Sequence, residues 1–245
     1  MTITNSQSNT SVHEIAPSVF RISTPVPPSE MPGGFTFNQF LIVDDAPLLF
    51  HTGPRKMFPL VKEAVAHVLG DAEKLRYVSF SHVEADECGS LNDWLRLAPL
   101  ATAVCSTTAA MVSMNDLAIR PPVALADGAS LTLGKRQVRW LDAPHVPHNW
   151  ECGYLFETTT RTLLCGDLFT HAGAEVAPLT SSDVLGPAEE MRKAMPDYLA
   201  LGPHTRPSLE KLAATEPTTL ALMHGSSYQG NGAELLRQLA SALGV

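Results

Sequence analysis

The 245-residue chain is 44% hydrophobic and 17% charged, which supplies ample apolar material for a sizeable core. A formal net charge of −8 without any Lys/Arg cluster argues against a nucleic-acid partner, and no apolar stretch reaches the ~18 residues of a membrane span. Four cysteines (Cys88, Cys105, Cys152, Cys165) form no CxxC pair, and the polar N-terminus lacks an apolar signal core, so reduced thiols in a cytoplasmic protein are expected.

Residues 1–15 read as a mobile tail and 16–245 as a single domain. The segments "SVFRIS" (18–23), "FNQFLIVDD" (37–45) and "APLLFH" (46–51) read as strands, the last two forming a hairpin around Asp44 and Asp45. Between the first two lies the loop "TPVPPSEMPGG". "MFPLVKEAVAHVLG" (57–70) has helical spacing and ends on Gly70, a favoured C-cap residue. A strand (77–80), a loop, a helix near 90–97, a strand (102–105) and a helix (106–115) follow. The strand-rich segments "ASLTLG", "QVRWLDA" and the hairpin "YLFETTTRTLLC" come next. A helical region (187–200), a helix (207–214), a strand (218–225) and a helix (232–243) close the chain. Hairpins lead both halves and helices alternate with strands after them. This pattern predicts an α/β fold of two sheets packed face to face with helices outside.

The loop after the strand 77–80 reads "SHVEADECG" and puts His82, Glu84, Asp86 and Glu87 within six positions. Three further places supply matching donors: His145 and His148 in "APHVPHNW", Asp167 at the end of "RTLLCGD", and His224 at the end of "TTLALMHG". Each follows an apolar strand beside a Gly or Pro turn, where α/β folds place their chemistry. A solvated acidic turn would explain one such cluster but not four places on one rim.

The order H-x-E-x-D, a lone His, an Asp after an apolar strand and a final His-Gly resembles the metallo-β-lactamase superfamily. More narrowly it is similar to the oxygen-binding diiron branch, represented by the β-lactamase-like domain of flavodiiron proteins. Glu84 stands where the hydrolases of the superfamily carry a second His. The resemblance implies a four-layer αβ/βα sandwich of two mixed sheets flanked by helices. It also implies one metal held by His82, Glu84 and His148, another by Asp86, Glu87 and His224, and Asp167 bridging both. His148 is preferred over His145 because 18 residues separate it from Asp167, the spacing of the diiron branch. Glu87 departs from the family, which has His at that place. His51, in "LLFHTG", stands where the hydrolases have an Asp that orients a ligand His, and is expected to donate to Glu84 instead or to serve only the core. Asp167, His224 and Tyr228 are the expected catalytic residues, with Tyr228 and Trp150 flanking the metals.

Three imidazoles and four carboxylates without a thiolate suit two iron ions, and manganese or zinc would also fit. The expected function is binding of O2 or NO, with its reduction or sensing, at the dinuclear site. Without a Gly-rich phosphate loop in this chain, no flavin is expected here, and electrons would come from an external electron-transfer protein. A homodimer is compatible with the sequence. The competing expectation is a dinuclear hydrolase of an ester, lactone, thioester or phosphodiester.

Overall fold

A computed structural model describes residues 1–245. The first sheet contains β1 (Thr2–Asn5), β2 (Thr10–Ala16), β3 (Val19–Val26), β4 (Phe35–Ile42), β5 (Leu48–Phe50), β6 (Tyr77–Ser79), β7 (Thr102–Ser106) and β8 (Val123–Leu125), side by side in chain order. Hairpin connections make β1 to β5 antiparallel, and helical crossovers make β5 to β8 parallel. The crossovers are α1 (Phe58–Leu69), which ends on left-handed Gly70, then α2 (Ala85–Cys88) with α3 (Leu91–Leu97). The third is a helix built of α4 (Thr107–Ala109), a π-helical turn (Ala110–Met114) and α5 (Asn115–Leu117).

The second sheet is ordered β13-β15-β14-β12-β11-β10-β9. Its strands are β9 (Ser130–Thr132), β10 (Gln137–Asp142), β11 (Gly153–Glu157), β12 (Thr162–Leu164), β13 (Leu179–Thr180), β14 (Thr219–Ala221) and β15 (Ser227–Gln229). Three helices, α6 (Leu185–Ala194), α7 (Thr205–Ala213) and α8 (Gly232–Ala242), cover its outer face.

Strand alternation explains the four layers. On β4 and β5, Phe40, Ile42, Leu48 and Phe50 meet Val138, Trp140, Leu155 and Leu164 of the other sheet. Their neighbours Leu41 and Leu49 point the other way, onto Val61 and Val65 of α1 and Trp94 of α3. Strands buried on both faces read as continuous apolar runs, as "FLI" and "LLF" do. A third cluster joins Leu163, Leu220 and Leu222 to Leu212 of α7 and Leu236 of α8. This is the four-layer α/β sandwich expected from the sequence.

Several boundaries differ from expectation, each for a local reason. The segment read as a tail forms β1 and β2: "SVHEIA" buries Val12 in the cluster under α1 and Ile15 in the cluster between the sheets, and Thr10 Oγ1 pairs with Thr24 Oγ1 at 3.0 Å. The helix expected over 187–200 spans Leu185–Ala194 instead; Pro196 disfavours its continuation, and Asp183 Oδ1 accepts from the Leu185 and Gly186 N–H groups at its start. The strand expected over 218–225 stops at Ala221 because the backbone beyond it pairs with the opposite sheet. There the Asn38 N–H donates to Met223 O, and Asn38 Nδ2 donates to Leu222 O. Strands β8, β13 and β15, of two or three residues each, had no recognisable period.

Candidate metal centre

The C-terminal ends of β6, β10, β12 and β14 open onto one rim between the sheets. From the first sheet comes the loop after β6, with His82 fully buried and Glu84, Asp86 and Glu87 at the start of the short helix α2. Glu151 holds this loop in place, its Oε1 accepting from the Val83 N–H at 3.1 Å. The second sheet supplies His148 after β10, Asp167 after β12 and His224 after β14.

All seven predicted donors converge. His148 Nε2 lies 2.9 Å from His82 Nε2 and 3.2 Å from Glu84 Oε1. His224 Nε2 lies 3.4 Å from Asp86 Oδ2. Asp167 joins the two groups, with Oδ2 3.6 Å from His82 Nε2 and 3.7 Å from His148 Nε2, and Oδ1 3.3 Å from His224 Nε2. Glu87 sits between them, Oε1 3.9 Å from His82 Nε2. Three sets of ligand atoms mutually within 4.8 Å result: His82, Glu84 and His148; His82, Glu87 and Asp167; and Asp86, Glu87 and His224.

Whether these residues fit a cation is decided by spacing and by what they lack. Two ligands about 2.1 Å from one ion, at right angles or tetrahedrally disposed, lie roughly 3.0–3.5 Å apart, the range of the shortest edges here. Both Glu87 carboxylate oxygens and Asp167 Oδ1 are buried without a hydrogen-bond partner. Buried polar groups without partners are rare and costly, and buried charges are normally paired or bound to metal. The residues fit a dinuclear cation site.

Without a cation, protons carry the balance. Burial and the neighbouring Asp167 charge push the Glu87 carboxyl well above its ordinary value. Asp167 is held well below the carboxylate range: burial opposes its ionisation, but the close approach of His224 and the charges of His224, His82 and His148 outweigh it. Burial likewise disfavours protonated His224, yet Asp167 and Asp86 lift it to about 9. A metal displaces such protons from its ligands, so uptake by these residues would be pH-dependent.

The imidazoles are held by their second nitrogens. His148 Nδ1 donates to Tyr198 O at 2.5 Å and His224 Nδ1 donates to Thr36 O at 2.8 Å, so that Nε2 of each, once free of its proton, can offer its lone pair to a cation. Phe35 stacks on the His224 ring with centroids 4.3 Å apart. The turn after His224 is tied to the first sheet through Gly225 O, which accepts from Arg21 Nη2 and Asn38 Nδ2, both at 3.0 Å, and through the Gly225 N–H, which donates to Thr36 Oγ1 at 2.8 Å. His171 closes it from behind, its Nδ1 donating to Phe169 O and its Nε2 accepting from the Ser226 N–H at 2.9 Å.

His145 is exposed and outside the donor group, and His148 is the histidine of "APHVPHNW" that lies within it. Other expectations are corrected. Tyr228 does not flank the donors. Its strand partner is Leu220, its ring packs against the cluster beneath the helices of the second sheet, and its hydroxyl lies over Gly230. Trp150 is 54% exposed. His51 faces Ser81 and Met223 rather than Glu84. Thr36, Asn38 and Arg21 were missed, although polar residues interrupting the apolar strands "FTFNQFLI" and "VFRIS" were a usable signal.

A family model described as ODP family beta lactamase matches residues 35–225. Rubredoxin-oxygen oxidoreductase of Megalodesulfovibrio gigas is 25% identical over 210 residues, covering 81% of this chain and 50% of that protein. Nitric oxide reductase of Moorella thermoacetica is 29% identical over 121 residues, covering 45% of this chain and 28% of that protein. The chain thus spans half or less of the length of these two curated relatives. A metal-soaked flavodiiron core from Synechocystis sp. superimposes with a TM-score of 0.78 at 21% identity, covering 96% of this chain and 61% of that one. No helix is long and apolar enough to cross a membrane. With the family model spanning the strands that carry every donor, the chain belongs to the ODP beta-lactamase family.

Proposed function

We propose that this chain is a non-haem diiron protein that binds O2 or NO at the seven-residue centre and reduces or senses it. The observation that carries the reading is Asp167, whose two oxygens face separate imidazole groups, with the unpartnered Glu87 carboxylate beside it. The names of the two curated relatives, an oxygen oxidoreductase and a nitric oxide reductase, support the same chemistry. A diferrous pair would supply two electrons at once. His82, Glu84 and His148 would hold one iron and Asp86, Glu87 and His224 the other, with Asp167 common to both. The carboxylates favour the oxidised metals and blunt the Lewis acidity that hydrolysis needs. Electrons would come from a donor of the rubredoxin or flavoprotein kind.

The test is metal analysis and absorption spectroscopy of protein loaded with iron, reduced, and then exposed to O2 or NO. Two irons per chain and a near-ultraviolet change on O2 addition are expected. A protein that holds zinc, ignores O2 when loaded with iron and rapidly cleaves an ester or lactone would overturn the reading in favour of a hydrolase.

A further inference from the structure

We propose that Ser81 and His51 form a neutral hydrogen-bonded relay that positions His82 and limits how strongly it donates to the metal; the inference rests on the diiron reading and deepens it. His82 turns Nε2 toward the other donors, while Nδ1 lies 2.9 Å from Ser81 Oγ. Ser81 Oγ lies 3.0 Å from His51 Nε2, and His51 Nδ1 faces Met223 Sδ. His51, Ser81 and His82 are each at most 1% exposed, so the chain of contacts is closed to solvent.

Only one direction of donation serves a metal. For Nε2 of His82 to offer its lone pair, the ring hydrogen must sit on Nδ1 and donate to Ser81 Oγ. Ser81 then donates its hydroxyl hydrogen to His51 Nε2, which also accepts the Ser81 N–H at 3.4 Å. The His51 hydrogen is thereby fixed on Nδ1, beside the weak acceptor sulfur of Met223. Every ring nitrogen has a defined role and no carboxylate takes part.

The backbone around the relay is shaped to hold it. His51 adopts a left-handed φ of +66°, a conformation that strains a non-glycine residue. Its ring is clamped by stacking on Phe50, with centroids 4.3 Å apart. Gly166, at φ +50°, leaves room for Ser81, since a Cβ there would stand 2.9 Å from Ser81 Oγ. A histidine serving only the core would not need its partner bonded back-to-back to a candidate ligand. A carboxylate partner raises the basicity of a ligating imidazole, whereas a hydroxyl leaves it an ordinary neutral donor.

The experiment is anaerobic Fe(II) competition binding and redox titration on the full chain and its variants, with zinc loading for NMR of the His82 ring. Ser81→Ala should weaken Fe(II) binding 10–100-fold, the usual effect of removing a ligand's outer partner. It should also remove the protected Nδ1–H resonance of His82 in the zinc form. His51→Gln, which keeps an acceptor for Ser81, should retain the wild-type affinity. His51→Asp should shift the midpoint potential downward, because the carboxylate strengthens donation by His82. Unchanged affinity in Ser81→Ala together with an unchanged potential in His51→Asp overturns the relay. Unmodified protein that takes up no iron overturns the diiron reading and the relay with it, so the two failures are told apart before any variant is made.

Discussion

Donors from the first sheet fall within six consecutive positions, His82 to Glu87, on one loop and one turn of helix, whereas His148, Asp167 and His224 come singly from three strand ends of the second. The first group is a local device: β6 aims the loop, and the start of α2 turns Asp86 and Glu87 inward. The second exists only through topology. Parallel pairing of β12 with β14 brings Asp167 beside His224, and the antiparallel run from β10 through β11 to β12 returns His148 to the same rim. A local cluster tolerates change at one position because its backbone persists. A topological cluster depends on how far each strand extends and on what catches its end.

The largest expected effect tests the residue shared by both groups. Asp167→Ala should lose both metals, measured as iron per chain after anaerobic loading, because its two oxygens face separate imidazole sets. His148→Ala should lose one metal and keep the ion at His224. Loss of both ions in His148→Ala would show that the two halves are not separable. Next in size is Gly225→Ala. Gly225 has a φ of +86°, and a Cβ would stand 2.2 Å from the His171 ring, so unfolding free energy should fall by about 3 kcal/mol. Denaturant unfolding checks this, and intact stability would mean that the turn after His224 is not caught as described.

A smaller effect concerns His51, which burial lowers to about 3, partly offset by the charge of Asp167. Unfolding releases it to its ordinary 6.5. The unfolded chain therefore binds the extra proton. Stability from this group is complete above 6.5 and is lost as pH falls toward about 3, by about 1.4 kcal/mol per pH unit. Urea unfolding of the metal-free protein across that window should show a shallower slope in His51→Gln than in the wild type. The smallest effect should come from His145→Ala, within about 0.5 kcal/mol in stability and without loss of iron, since the side chain is exposed.

The same contrast explains what the sequence made legible. His82, Glu84, Asp86 and Glu87 declared themselves by crowding, and Asp167 and His224 by closing apolar strands. The four layers were readable from runs such as "FLI" and "LLF", which have no polar face to give to water. What stayed hidden was cross-sheet bonding. Nothing in "TTLALMHG" announces that its last residues leave the ladder for Asn38 and Thr36, and helical spacing beyond Ala194 did not reveal that Tyr198 O would accept from His148. Tyr228 was misplaced for a related reason: the reversal at Gly225 pairs it with Leu220 and turns its ring to the helices.

The turn at Gly225, tied to Arg21, Asn38 and Thr36, has a kinetic consequence. Because the donors belong to opposite layers, an ion seated among them would cross-link the sandwich, and its binding free energy would add to the docking of one sheet on the other. Escape of that ion would then be limited by how often the layers part at this rim. Metal exchange would become a clock for the breathing of the fold, and loosening Asn38, whose side chain donates to backbone carbonyls at Leu222 and Gly225, would make it run faster.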